Sequence, residues 1–117
     1  MSIWSSVFGA EIITVTEPTT TADAHGAPRR VYEAKNARQF THVDVQAGPT
    51  GENSSHREGE SWDQTAYLDA DGARDITKHA RIDWRGISYR LHGPVKFVTG
   101  AGLLADVAVL NLKRWEG

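Results

Sequence analysis

Between Ile82 and Leu91 the chain reads Ile-Asp-Trp-Arg-Gly-Ile-Ser-Tyr-Arg-Leu, and its apolar residues change parity across Arg85-Gly86. A strand projects successive side chains to opposite faces, so one uninterrupted strand would put Ile82 and Trp84 on one side and Ile87, Tyr89 and Leu91 on the other. A two-residue hairpin turn at Arg85-Gly86 removes the conflict. Trp84 then faces Ile87, Ile82 faces Tyr89 and Ala80 faces Leu91, all on one buried side. Gly86 supplies the positive φ that such a turn requires. With Trp84 on the buried face, Trp84→Ala is expected to cost about 3–5 kcal/mol.

The hairpin has neighbours. His92-Gly93-Pro94 turns the chain into Val95-Lys96-Phe97-Val98, and Thr99-Gly100-Ala101-Gly102 turns it again into the apolar run from Leu103 to Trp115. These segments predict a four-stranded antiparallel meander from Ala80 to Trp115. Upstream, Glu11 to Thr16 is short, β-branched and bounded by Gly9 and Pro18, which reads as a strand. Pro18 to Pro28, rich in Thr, Ala and Gly, reads as a loop. Arg30 to Ala34 and Thr41 to Ala47 are further strand candidates, the second alternating Val43 and Val45 with His42, Asp44 and Gln46. Trp62, Gln64, Ala66 and Leu68 share one parity in another, which ends at the turn signal Asp69-Ala70-Asp71-Gly72.

The count is seven or eight strands. We therefore expect an all-β fold, a small antiparallel β-barrel or sandwich of about seven strands with long loops and closed or covered edges. At 117 residues the chain has room for one core, so residues 1–117 are expected to form a single domain. It carries no internal repeat and no low-complexity tract.

Composition narrows the function classes. Thirteen Lys and Arg against fifteen Asp and Glu give a net charge of −2 and a pI near 6.2. A dedicated duplex binder usually has a basic surplus, because phosphate neutralisation supplies most of its affinity, so tight nucleic-acid binding is disfavoured. There is no cysteine, hence no disulfide framework and no thiolate metal site. No run approaches the length of a membrane span, and Met1-Ser2-Ile3-Trp4 lacks the opening of a signal peptide, so the expected place of synthesis is the cytosol.

The candidate chemistry is thin. Gly100, Gly102 and Ala105 imitate a dinucleotide fingerprint, but that motif needs a helix and then a strand with an acidic end, so a hairpin turn is expected instead. Asp69-Ala70-Asp71-Gly72 resembles the start of a calcium loop, yet its glycine comes two positions early and no bidentate Glu follows, which favours an Asp-stabilised turn. His25, His42, His56, His79 and His92 include no short-spaced ligand pair. Ser54, Ser55, His56 and Glu58 name a nucleophile and a base, but a glycine-rich stretch without an apolar anchor cannot hold them rigidly. No catalytic, metal or cofactor site is therefore assigned, and an enzyme is not expected. Trp4, Trp62, Trp84 and Trp115, with Tyr32, Tyr67 and Tyr89, are expected to anchor core and interface more than to stack on bases or sugars.

One loop stands apart. Gly48, Pro49, Thr50, Gly51, Glu52, Asn53, Ser54, Ser55, His56, Arg57, Glu58, Gly59 and Glu60 include three glycines, one proline and no apolar residue. Such a stretch buries too little to offset the entropy of fixing it, and loops this long in small domains are often functional. It is the expected partner or channel loop.

The residues of the last third also resemble a known family. Trp84, Gly86, Tyr89, Leu91 and Gly93 fit a hairpin of the form aromatic-x-Gly-x-x-Tyr-x-Val/Leu-x-Gly, and Leu112, Lys113, Arg114 and Trp115 fit a final strand ending in Leu-Lys-Arg-aromatic. That pattern is similar to the C-terminal half of the head closure proteins of long-tailed phages, also called head-to-tail stoppers or head-tail adaptors. The resemblance covers residues 75–117 well and the rest by element order alone. It implies a structural virion subunit, in a ring of six or twelve copies, stacked under the portal and adaptor in the connector, closing the DNA channel and offering a surface to tail proteins. It also implies assembly in the host cytoplasm, passage of DNA without tight binding and no membrane contact. In this reading Trp84, Gly86, Tyr89 and Gly93 define the fold, while Trp4, Lys113, Arg114 and Trp115 are interface candidates. The alternative is a monomeric β-barrel binding module for single-stranded nucleic acid or carbohydrate that uses exposed aromatic residues.

Overall fold

A computed structural model describes residues 11–48, 61–99 and 106–116. Among them are nine strands: β1 (Glu11–Thr16), β2 (Thr19–Ala22), β3 (Pro28–Val31), β4 (Ala37–Ala47), β5 (Gln64–Asp69), β6 (Arg81–Trp84), β7 (Ile87–Leu91), β8 (Lys96–Val98) and β9 (Val107–Arg114). A 3-10 turn spans Ala34–Asn36 and one short helix, α1, spans Ala70–Ala73. β5, β4, β1, β6, β7 and β9 pair in that order, and β9 returns to β5, closing a six-stranded antiparallel barrel with β8 as an extra strand. The fold is thus all-β, a small barrel, as expected.

The 82–91 hairpin has the register read from the parity flip, with Ile82 opposite Tyr89 and Trp84 opposite Ile87. Arg85 and Gly86 both have positive φ, 51° and 78°, as a type I′ turn demands. Ile82 and Tyr89 are buried, as are Ala80 and Leu91, which flank the Arg81–Arg90 pair. Trp84 departs from expectation. It packs on the core but stands at the hairpin tip, only half-buried. Its indole N–H donates to Glu11 Oε1 at 3.2 Å, and the Arg85 guanidinium, ion-paired with the same carboxylate, sits 4.8 Å above its ring. Half of the roughly 200 Å² of a tryptophan, at about 25 cal/mol per Å², is worth about 2–3 kcal/mol. That is the expected loss for Trp84→Ala in urea titration. A loss above 4 kcal/mol would require a fully buried indole and would contradict this placement.

The expected meander is not what forms. β7 pairs with the C-terminal end of β9 (Leu91 opposite Leu112) and β8 with its N-terminal end (Phe97 opposite Ala108), so the sheet runs β7-β9-β8. The physical reason is closure. The other side of β9 is taken along its length by β5, from Gln64 opposite Leu112 to Asp69 opposite Val107, which removes both free edges of the six-stranded ring.

Three further expectations are corrected. Pro18 to Pro28 holds a hairpin rather than a loop: β2 and β3 pair from Thr19 opposite Val31 to Ala22 opposite Pro28. Asp23 closes its turn, its Oδ1 accepting from the N–H groups of His25 (2.8 Å) and Ala27 (2.9 Å). The Arg30 to Ala34 strand correspondingly shifts back to Pro28–Val31. β4 is longer than expected and carries a bulge: between Glu11 opposite Val43 and Ile13 opposite Phe40 it holds one extra residue, and His42 takes a φ of 57° there. Before the bulge β4 pairs with β1, and after Val43 it pairs with β5, so His42 marks a barrel corner.

The barrel interior holds Ile13, Val15, Val43, Ala66, Leu68, Ile82, Tyr89, Leu91, Ala108, Leu110 and Leu112. At the end of β5, Asp69 caps α1 by accepting from the Asp71 N–H at 3.1 Å, so the expected Asp-stabilised turn is a single helical turn that buries Ala70 and Ala73.

Candidate functional site

Because Ile82, Leu91 and Leu112 point inward, their neighbours Arg81, Arg90 and Lys113 point outward, and the register lines all three up in one row: Arg81 opposite Arg90 on β6 and β7, Arg90 opposite Lys113 on β7 and β9. Side chains directly opposite one another on paired strands lie about 5 Å apart at Cβ, and like charges so placed destabilise a sheet. Arg81 has relief, with Asp83 Oδ2 3.3 Å from its Nε. Neither Arg90 nor Lys113 has a carboxylate partner among the described residues.

Beside the row opens a cleft of about 240 Å³ lined by Arg30, Lys78, His79, Arg90, Tyr32 and Trp115, among others. It shares Lys78, His79 and Leu91 with a second cleft of about 380 Å³ that continues to Gly93 and Pro94. Tyr32 and Trp115 meet edge to face with ring centroids 5.3 Å apart. The Tyr32 hydroxyl donates to the His79 carbonyl at 2.8 Å, and the Arg81 guanidinium lies 5.4 Å from the Tyr32 ring centroid. These contacts fix the stretch after β3 against β6 and hold Arg30 over the cleft.

Arg30 Nη2 lies 3.3 Å from His79 Nε2; a guanidinium can only donate, so this imidazole nitrogen accepts. Desolvation, with Arg30 and Lys78 nearby, holds the His79 pKa below its ordinary value. Burial raises the Tyr32 phenol, opposed by Arg30 and Arg81. Neither shift favours a charge near pH 7, and the charge of the cleft comes from Arg30, Arg90 and Lys78.

The residues singled out in the sequence distribute unevenly. Lys113 and Trp115 lie on this face, and Trp115 is half-buried against Tyr32. Arg114 is exposed, and its backbone N–H donates to Asp63 Oδ2 at 2.7 Å. Gly86 and Gly93, with φ of 78° and 82°, and the buried Tyr89 are framework positions. Trp4 and residues 49–60 lie outside the described residues, as do Gly100, Gly102 and Ala105 of the fingerprint-like stretch. Gly48, expected to begin the partner loop, is instead buried: its N–H donates to the Asp63 carbonyl at 3.0 Å, and it packs directly on Trp62. Trp62, expected within the strand at the parity of Gln64, Ala66 and Leu68, lies before β5 instead, donating from Nε1 to Thr65 Oγ1 at 2.7 Å and stacking on His92 at 5.5 Å. Among the described residues no three His, Asp or Glu side chains converge as a metal site would require.

What the sequence reading missed is the cation row itself. Arg81, Arg90 and Lys113 are nine and then twenty-three positions apart, and only the pairing of β6, β7 and β9 brings them together.

The fold and this face define a small closed β-barrel with a basic, aromatic-flanked outer surface. No protein-family model matches the sequence, and no curated protein matches it with significance.

Proposed function

We propose that this chain is a structural subunit of a phage head-tail connector, a head-to-tail stopper or head closure protein that assembles into a ring below the portal and adaptor. The observation that carries the reading is the resemblance at 75–117, five of whose residues, Gly86, Tyr89, Leu91, Gly93 and Leu112, are framework residues of this barrel. Gly86 and Gly93 occupy the positive-φ positions at the two ends of β7, Tyr89 and Leu91 line the interior from it, and Leu112 meets them from β9. A second feature suits a protein that works by assembly. β8 pairs only with β9 among the described residues, and its Phe97 and Val98 are 45% and 54% exposed. An edge strand with exposed apolar side chains is a ready template for another chain.

In such a particle the subunit would close the channel and present the tail-joining surface without catalysis. The alternative, a monomeric binding module, needs neither self-assembly nor a connector partner. The test is mass photometry of the purified chain alone and with the portal and adaptor proteins encoded beside it. A monomer or weak oligomer that becomes a closed ring on the adaptor is expected, since ring-forming contacts are heterologous and must close. A chain that stays monomeric with every neighbouring connector protein, or a gene with no portal or capsid gene near it, would remove the connector reading.

A further inference from the structure

We infer that the outer face of β6, β7 and β9, together with the cleft beneath Arg30, is a binding site for single-stranded nucleic acid, with Arg90, Lys113, Arg30 and Lys78 contacting phosphates and Trp115 offering a ring to a base. The inference concerns this face and not the oligomeric state, so it stands or falls separately from the connector reading.

The argument starts from an uncompensated cost. Like charges in register across adjacent strands repel, and here Arg90 and Lys113 lie side by side with no carboxylate partner among the described residues. Arg30 and Lys78 add two more cations at the cleft, and Arg30 is turned toward His79 rather than toward an acid. The one carboxylate shown on this face among the described residues, Asp83, is taken up by Arg81 and the Ser88 hydroxyl and leaves Arg90 and Lys113 uncompensated. A bound polyanion would relieve the repulsion.

The geometry also selects among polyanions. β6, β7 and β9 are each paired on both sides, so an acidic peptide cannot dock here by adding a strand. A ligand must be held by its side groups, which suits a chain whose charge repeats with every unit. Phosphodiester oxygens match the guanidinium fork of Arg90 and Arg30. The two adjoining clefts run from the Tyr32–Trp115 pair past Leu91 to Pro94, and at about 240 and 380 Å³ they are of a size suited to a nucleotide rather than to a duplex. Cations following a backbone beside an aromatic ring are the recurring means of holding single strands without sequence preference. The overall acidic balance conceals this, because net charge averages over faces.

The probe is a fluorescein-labelled oligothymidylate of about 20 nucleotides, read by anisotropy between 50 and 200 mM salt. With about four phosphates engaged, affinity should fall roughly 50-fold across that range. Arg90→Gln with Lys113→Gln should bind at least about tenfold more weakly at 50 mM, with the salt slope reduced by about 1.4. Trp115→Leu should weaken binding about tenfold with the slope unchanged, because stacking releases no counterions. Arg74→Gln with Lys96→Gln, which removes the same charge from outside the face, should bind like the parent, and thermal melts should show every variant folded. A 20-base-pair duplex should bind more weakly than the single strand. No binding at 50 mM salt, equal binding of polyglutamate or of the duplex, or equal losses from the two double variants would each overturn the proposal.

Discussion

Leu112→Ala is expected to lower the unfolding free energy by about 3–5 kcal/mol, the upper part of the range for a leucine cut back in a core. Leu112 is fully buried, and β9 is paired on both sides at that position, to Gln64 of β5 and to Leu91 of β7. A site closed on both flanks cannot collapse onto the missing volume, so the cavity term adds to the lost transfer free energy. Small domains have only about 5–15 kcal/mol in total, so the variant should be near the edge of folding at 37 °C. The measurement is urea unfolding, with Lys113→Ala as the outward control on the same strand, expected to change stability by no more than about 0.5 kcal/mol. A loss below 1 kcal/mol for Leu112→Ala with an unchanged m-value would mean that β9 is not bridged from both sides, and the barrel as described would not be closed.

Gly48→Ala is the second large effect, about 3 kcal/mol, although it adds a single methyl group. A Cβ at Gly48 would collide with the Trp62 backbone carbonyl and come within 2.6 Å of Trp62 Cδ1 and 2.9 Å of Nε1. The indole cannot swing aside freely, since it donates to Thr65 Oγ1 and stacks on His92. The carbonyl belongs to backbone next to Asp63, which itself accepts from the Gly48 N–H and donates to the Leu112 carbonyl at 2.8 Å. Overpacking of this kind typically costs about 1–3 kcal/mol, and backbone involvement puts it at the upper end. Trp62→Ala combined with Gly48→Ala should recover only part of the loss, because the carbonyl remains in the way. If Gly48→Ala is tolerated within 0.5 kcal/mol and Trp62 fluorescence is unchanged, Gly48 is the loop residue its sequence context implied, and the close packing on Trp62 is wrong.

Parity and turn chemistry, both local, were legible without a structure. The flip across Arg85-Gly86 gave the β6–β7 register, because a pleated strand allows only one resolution of that pattern. Gly9 and Pro18 bracketed a β-branched run that is β1 to the residue. Inward positions such as Ala66, Leu68 and Tyr89 followed from the same period of two. Where a segment lacked a buried face the period vanished, so the Thr-rich β2–β3 ribbon, mostly exposed along its length, looked like a loop.

Which strands become neighbours was settled in three dimensions. Alternation says that Leu103 to Trp115 contains a strand, but not that β9 pairs with β5 and leaves β8 outside the ring; that is settled by closure, which trades one edge for a continuous circuit of backbone hydrogen bonds. The same step made the basic face. Parity alone turns Arg81 and Arg90 away from their buried neighbours, while the outward side of Lys113 came with the pairing of β9. Their meeting in one row depends on strand pairing between residues far apart in the chain, and neither composition nor periodicity carries that information.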